Sequence, residues 1–287
     1  MREYGLSIVI VSYNNMEVIE QCLNSIYKYN DIGKNIQVIV VEQSPSNDIY
    51  EFLLKEYTQF GTIIIRNENN GFGAGNNRGF EHVSKEYVLF LNPDTILIEP
   101  VFKYALDKFV KNDKLGVFGI QLLDKDGNKN LSYNYMINFG LKFILTSKIK
   151  QINDSDFDGK KMYINGADIF IRSELFVEIK KFDEKIFMYG EETDICLRAL
   201  KLGYDIKFFS DKKIIHLEGQ STNKKGVYEK LCKSFVYLGK KYDIRYKSYL
   251  RSELIYYVIK LKIQKNLTND SVILLNDRLN VLRKYII

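Results

Sequence analysis

A doubly wound α/β fold is the architecture this sequence predicts, and three observations predict it. Over residues 1–120, short runs rich in β-branched residues alternate with segments of helical period. The first four of those runs end in polar clusters, SYNN, EQSPSND, NENNGFGAGNN and NPDT. An open parallel sheet gathers its ligands at that edge. The chain has 287 residues, 46% of them apolar, enough to bury a core in one large domain or two small ones.

The elements follow in order. LSIVIV (6–11) is continuous in apolar residues, as a strand covered on both faces must be. Asn15 can cap the next helix, on which Ile19, Cys22, Leu23 and Ile26 share a face. IQVIVVE (36–42) is the second strand, and SPSND (44–48) turns into a second helix. TIIIR (62–66) is the third, followed by the glycine loop and a short helix to about Ser84. YVLFLN (87–92) is the fourth; Pro93 ends it, and Pro100 suits the first turn of another helix. GVFGIQL (116–122) is the fifth strand. Further on, Ile195, Leu197, Leu200 and Leu202 mark a helix that Gly203 closes, with Asp194 and Arg198 paired along one face as a structural contact.

Charge is unevenly spread. Residues 223–287 hold 15 Lys and Arg against five Asp and Glu, whereas residues 1–222 hold 27 against 31. A basic tail on a mildly acidic body points to an anionic partner for the tail. Cys22, Cys196 and Cys232 lie far apart, which excludes a disulfide framework and a zinc site and fits a reduced, cytoplasmic setting. There is no secretory signal pattern and no apolar run of about 18 residues, so no spanning helix is expected.

The glycine loop, Gly71, Gly73, Gly75 and Gly79, invites a dinucleotide reading. That fingerprint belongs in the first βα turn, which here is SYNN with no glycine. A nicotinamide-dependent oxidoreductase is therefore disfavoured, leaving a ligand loop of another kind or a flexible surface loop. Asp94, just past a buried strand, suits a divalent cation or an Asx turn. Glu191 and Glu192 follow Gly190 at a helix start, where the dipole favours acids; either can also be a general base at a pocket mouth. His216 ends an apolar strand and becomes a metal candidate only if that strand end returns to the same pocket.

Seven pieces stand in one order: SIVIVSYNN, VVEQSPSND, NNGFGAGNNRG, FLNPDT, NGADIFIR, FDEKIFMYGEETDICLRALKLGY and IIHLEG. Together they resemble a family 2 glycosyltransferase of GT-A fold, within it the rhamnosyltransferase-like branch that builds bacterial surface polysaccharides. The resemblance covers residues 5–222. It implies a Rossmann-like mixed sheet flanked by helices. Residues 1–222 would be the catalytic domain, 1–120 holding the nucleotide-sugar and 121–222 the acceptor and catalytic groups. Residues 223–287 would be a basic helical extension.

The resemblance also implies roles. Ser12, Tyr13 and Asn14 would lie along the nucleotide, and Glu42 would reach the base or ribose. Gly71, Phe72, Gly75 and Asn77 would form the loop beside the donor. Asn92 and Asp94 fill the DxD position, with Asp94 and His216 on Mn²⁺ or Mg²⁺. Glu192 takes the place of the catalytic aspartate, with Glu191 its rival. Three positions depart from the family pattern: one carboxylate is missing from NPD, Glu42–Gln43 stands for Asp–Asn, and Glu191–Glu192 stands for Glu–Asp. The implied reaction is an inverting transfer from a UDP- or dTDP-sugar to a glycan or lipid-diphosphate-linked acceptor. A non-catalytic nucleotide-sugar or carbohydrate-binding module on the same fold is the alternative.

The tail mixes apolar and basic residues, as in SELIYYVIKLKIQK (252–265), and holds eight of the 21 tyrosines. It reads as a helix lying on an anionic membrane, peripheral to the inner face, with a solvated face or homodimer contact as the alternative. No nucleic-acid-binding module accompanies its charge, so nucleic acid is not expected as a partner.

Overall fold

A computed structural model of the chain describes residues 4–136, 157–217, 226–263 and 268–286. The expected boundary at 222–223, the Glu218–Gly219 end of IIHLEG, and Gln264 and Lys265 lie outside the described residues.

The first half alternates as its sequence predicts. It runs β1 (Leu6–Ser12), α1 (Met16–Lys28), β2 (Ile36–Glu42), α2 (Asp48–Tyr57), β3 (Ile63–Arg66), α3 (Phe72–Phe80), β4 (Tyr87–Leu91), β5 (Thr95–Leu97), α4 (Phe102–Lys111) and β6 (Leu115–Leu123). Asn15 does cap α1, its side chain accepting from the Val18 N–H. Pro100 sits one residue before the cap of α4, Val101, instead of inside its first turn. Thr95 opens the short strand β5. The second half contributes β7 (Tyr133–Tyr135), β8 (Met162–Ile164), β9 (Asp168–Arg172), α5 (Ser173–Glu178), α6 (Glu191–Lys201) and β10 (Asp205–His216). Gly203 takes the left-handed conformation, φ +85°, that stops α6.

Eight strands form one curled mixed sheet in the order β3-β2-β1-β4-β9-β6-β10-β5. Strands β1 to β4 are parallel to one another. β9 runs antiparallel between β4 and β6. Alternation along β1 explains its unbroken apolar run: Leu6, Ile8 and Ile10 pack with Ile19, Cys22, Leu23 and Ile26 of α1. Val9 joins the opposite core with Val41, Phe80, Phe90 and Phe176.

The tail folds as three helices, α7 (Val227–Lys241), α8 (Tyr246–Ile263) and α9 (Asn269–Ile286), around a core of its own that includes Cys232, Leu250, Tyr257 and Leu282. Among the described residues no helix is long and apolar enough to cross a membrane.

The glycines of α3 set the depth at which that helix lies on the sheet. A Cβ at Gly75 would come within 2.8 Å of Gln43 Nε2 and 2.9 Å of Val11 Cγ1. One at Gly79 would overlap Val9 Cγ1, whose β-branched side chain has little room to turn. Gly79→Ala is therefore expected to lower unfolding stability by about 1–3 kcal/mol through overpacking. Urea denaturation measures this; an unchanged midpoint would show that α3 can lift without cost.

Candidate active site

The site begins at the turn after β4. Asn92 donates its N–H to Ala167 O at 3.0 Å, anchoring the turn to β9. Thr95 closes it, with N–H and Oγ1 both donating to Asn92 O. β5 then pairs antiparallel with the end of β10, placing Thr95 opposite His216. The strand end carrying His216 thus returns to the Asp94 turn, and Leu217 N–H donates to Asp94 O at 2.9 Å. His216 Nε2 lies 3.3 Å from Asp94 Oδ1, both side chains being buried. One carboxylate and one imidazole at this spacing suit a divalent cation that takes its remaining ligands from phosphate and water. Among the described residues no cluster of three or more His, Cys, Asp or Glu stands here, so Asp94 and His216 are the two side chains at this turn that could hold a cation.

The acidic pair enters on the first turn of α6. Tyr189 and Gly190 both have positive φ, 72° and 103°, a turn that aims the helix start into the cleft. Glu191 is 2% exposed, and its Oε1 has no hydrogen-bond partner. Burial, and then the neighbouring Glu192 charge, hold its carboxyl well above the ordinary glutamate value. Glu192 is half-buried and accepts from the Gly190 N–H at 3.3 Å. Burial raises its pKa too, opposed by the backbone N–H groups of Glu192, Gly190 and Gly166. Burial thus favours the protonated form of both carboxyls, and a charge on Glu192 raises the cost of ionising Glu191. A Cβ at Gly166 would collide with Glu192 Oε1, so the NGAD segment reserves space for this carboxylate.

These groups open onto one cleft of about 770 Å³, within the range of small-ligand sites. Tyr13, Gly71, Phe72, Asn92, Asp94, Glu191, Glu192 and His216 all line it. A second cleft of about 570 Å³ shares Tyr13, Gln43 and Asn69 with the first and adds Arg66.

Five expected donor residues line neither cleft. Glu42 is fully buried, accepts from Ser44 N–H at 2.5 Å and lies 3.6 Å from Arg66 Nη1, while Gln43 beside it faces both clefts. Ser12 is buried and Asn14 exposed, its N–H donating to Ser44 Oγ at 2.7 Å. Gly75 packs on Gln43 and Val11. Asn77 is a bolt: its Nδ2 donates to Phe182 O and Glu184 Oε1, and its Oδ1 accepts from Phe182 N–H.

Helix α6 is fixed from the tail. Asp194, fully buried, pairs with Arg198 as expected and also accepts from Lys241 Nζ and Tyr242 OH, each at 2.6 Å. Lys241 and Tyr237 hold Asp183 at 2.6 and 2.7 Å, and Ser234 Oγ donates to Met188 O at 3.0 Å.

Residues 7–176 match the family model described as Glycosyl transferase family 2. The chain belongs to that family. The rhamnosyltransferase WbbL of Escherichia coli K12 is 27% identical over 255 residues, covering 82% of this chain and 92% of that protein. The GalNAc(5)-diNAcBac-PP-undecaprenol beta-1,3-glucosyltransferase of Campylobacter jejuni is 26% identical over 199 residues, covering 68% of this chain and 60% of that one. This chain therefore spans less than two thirds of the latter relative's length. Among solved structures, the mannosyltransferase PcManGT from Pyrobaculum calidifontis in complex with GDP-Man and Mn²⁺ is similar, with TM-score 0.57 and 12% identity over 99% of this chain and 74% of that one. TarS of S. aureus, residues 1–349 in complex with UDP, gives TM-score 0.55 and 16% identity over 82% of this chain and 65% of that one. These likenesses show the GT-A fold, and the chain is a family 2 glycosyltransferase carrying it.

The family motifs single out the glutamates, the NPD turn and the histidine. They assign no role to Gly166, Gln43 or Tyr163, which also shape or line the cleft. NGAD marked the segment of Gly166, but only the fold shows what its missing side chain makes room for.

Burial of Glu191 has a pH signature. Its folded pKa lies above the ordinary 4.5, so its contribution to stability is full below that value and lost as pH rises through the folded pKa. Glu191→Gln removes that loss. The melting-temperature gain of the variant over wild type is expected to widen from about pH 4 to about pH 8. A difference that stays constant with pH would show that Glu191 is solvated.

Proposed function

We propose that this family 2 glycosyltransferase inverts configuration. It moves a sugar from a UDP- or dTDP-sugar to a hydroxyl of a glycan or lipid-diphosphate-linked glycan, in building a cell-surface polysaccharide. The observation that supports this best is the shared cleft: Asp94 and His216 from the strand ends and Glu192 from the start of α6 face one space. The relatives named above support the substrate class. In this reading residues 1–222 are the catalytic domain and 223–287 a helical extension.

Glu192 takes the proton from the acceptor hydroxyl as that oxygen attacks the anomeric carbon. The bond to the nucleoside diphosphate breaks in the same step, so no covalent enzyme intermediate forms. Burial favours the protonated form of Glu191 beside it. Gly166 leaves the Glu192 carboxylate room, while the Gly190 N–H orients it. Asp94 and His216 would hold a Mn²⁺ or Mg²⁺, which would supply positive charge against the leaving diphosphate. Tyr13 and Gln43, common to both clefts, bring the nucleoside alongside.

The extension is suited to an anionic membrane surface, where a lipid-linked acceptor resides. Ile255, Ile259 and Ile263 repeat every fourth residue on the outer side of α8, 47%, 48% and 72% exposed. Ile273 and Leu274 of α9 are exposed as well. The inner side of α8 covers the tail's own core through Leu250 and Tyr257, so this helix is apolar on two faces. With the tail's basic excess, the outer face fits acidic headgroups over acyl chain.

Glu192→Gln is expected to lower kcat by about 10²–10⁴-fold while leaving donor affinity unchanged. Retained turnover would remove Glu192 from the chemistry, and a wild type with no turnover but intact donor binding would make the chain a binding module. A stabilising shift with UDP or dTDP and Mn²⁺ is expected in wild type and lost in Asp94→Ala. For the tail, co-sedimentation with phosphatidylglycerol vesicles is expected, weaker with phosphatidylcholine and lost in Ile259→Asp/Ile263→Asp. A protein that ignores vesicles and sediments as a dimer would make this face a subunit contact.

A further inference from the structure

The main cleft carries three carboxylates, Asp94, Glu191 and Glu192. Among its described lining residues Lys230 is the one Lys or Arg. It comes from the first helix of the extension, outside the segment matched by the family model. Among the described residues its ammonium makes no ion pair or hydrogen bond; it lies 5.1 Å from the centroid of the Phe187 ring. In a cleft with three acids, a lysine that pairs with none of them is available to a ligand.

Its perch is well defined. Phe187 O accepts the Phe72 N–H at 3.0 Å, and a side chain at Gly71 would collide with that same oxygen. The glycine loop is thus drawn against Phe187, and Lys230 stands over the ring at the edge of the loop. Cation–π contact holds an ammonium extended without neutralising it. A diphosphate brings several negative charges into a space that already holds three acids, and it requires cations there. Asp94 and His216 would hold one, a divalent metal ion. Lys230 is the protein's own.

We infer that Lys230 is a diphosphate-binding residue of the cleft, contributed by the extension. This rests on the transferase reading above and deepens it. Two ligands share the chemistry, the nucleoside diphosphate of the donor and the diphosphate of a lipid-linked acceptor.

Isothermal calorimetry on the full chain with Mn²⁺ tests this, using UDP, uridine and farnesyl diphosphate against wild type, Lys230→Ala and Lys230→Arg. Lys230 is a half-exposed helix residue, so the alanine variant is expected to melt with wild type. Loss of one charge-assisted contact should weaken a diphosphate about tenfold, with Lys230→Arg recovering most of it and uridine unaffected. Weakened UDP binding assigns the lysine to the donor. Weakened farnesyl diphosphate binding at saturating UDP assigns it to the acceptor. If wild type binds UDP and both diphosphates bind Lys230→Ala as tightly as wild type, the inference is overturned while the donor site stands. If wild type binds neither diphosphate, both fail.

Discussion

The pairing of Thr95 with His216 is the constraint on which the site depends. Asp94 and His216 are over a hundred residues apart, and neither would matter alone. A three-residue strand after the NPD turn crosses to the far edge of the sheet and captures the end of β10. The sheet must curl for this to happen, because β5 follows β4 in sequence yet β9, β6 and β10 stand between them in the strand order. Once the pairing forms, a carboxylate and an imidazole meet 3.3 Å apart at the mouth of the parallel strands.

The second arrangement is the placement of α6. Its start projects Glu191 and Glu192 into the cleft, while Asp194, one turn further, is gripped by Arg198, Lys241 and Tyr242. A buried carboxylate with one partner removed is costly, so α6 and α7 hold each other in position. Contacts from the extension therefore fix the helix whose first turn carries the acidic pair. It also supplies Val227 and Lys230 to the cleft wall, so a division of the chain near residue 222 passes through the site.

Much of this was legible in the sequence, for physical reasons that differ by element. The first four strands were readable because both faces of the sheet are buried and apolar residues run without interruption. The Asn15 cap and the Gly203 stop were readable because those positions require particular side chains or none. The NPD turn, the acidic pair and His216 were readable as candidates because polar groups at strand and helix ends stand out. Other features depend on contacts that no local pattern encodes. The antiparallel entry of β9 between β4 and β6 is one. Glu42 was expected at the nucleoside; its Oε1 meets Ser44 and Arg66, whose positions come from the second and third strand ends, contacts no local pattern shows. Gly75 and Gly79 look like a ligand loop in sequence, yet the surfaces they approach are Gln43, Val11 and Val9. Lys230 is one of 15 basic residues in the tail, and nothing in its neighbours distinguishes it before the helix is docked.

The most direct measurement is manganese anomalous scattering from crystals grown with UDP and Mn²⁺. The expected result is a peak bonded to the Asp94 carboxylate, His216 Nε2 and the UDP diphosphate, in the cleft that also holds Glu192. Ordered UDP with no manganese at Asp94, or UDP bound outside that cleft, would contradict the assignment of this site to sugar-nucleotide chemistry.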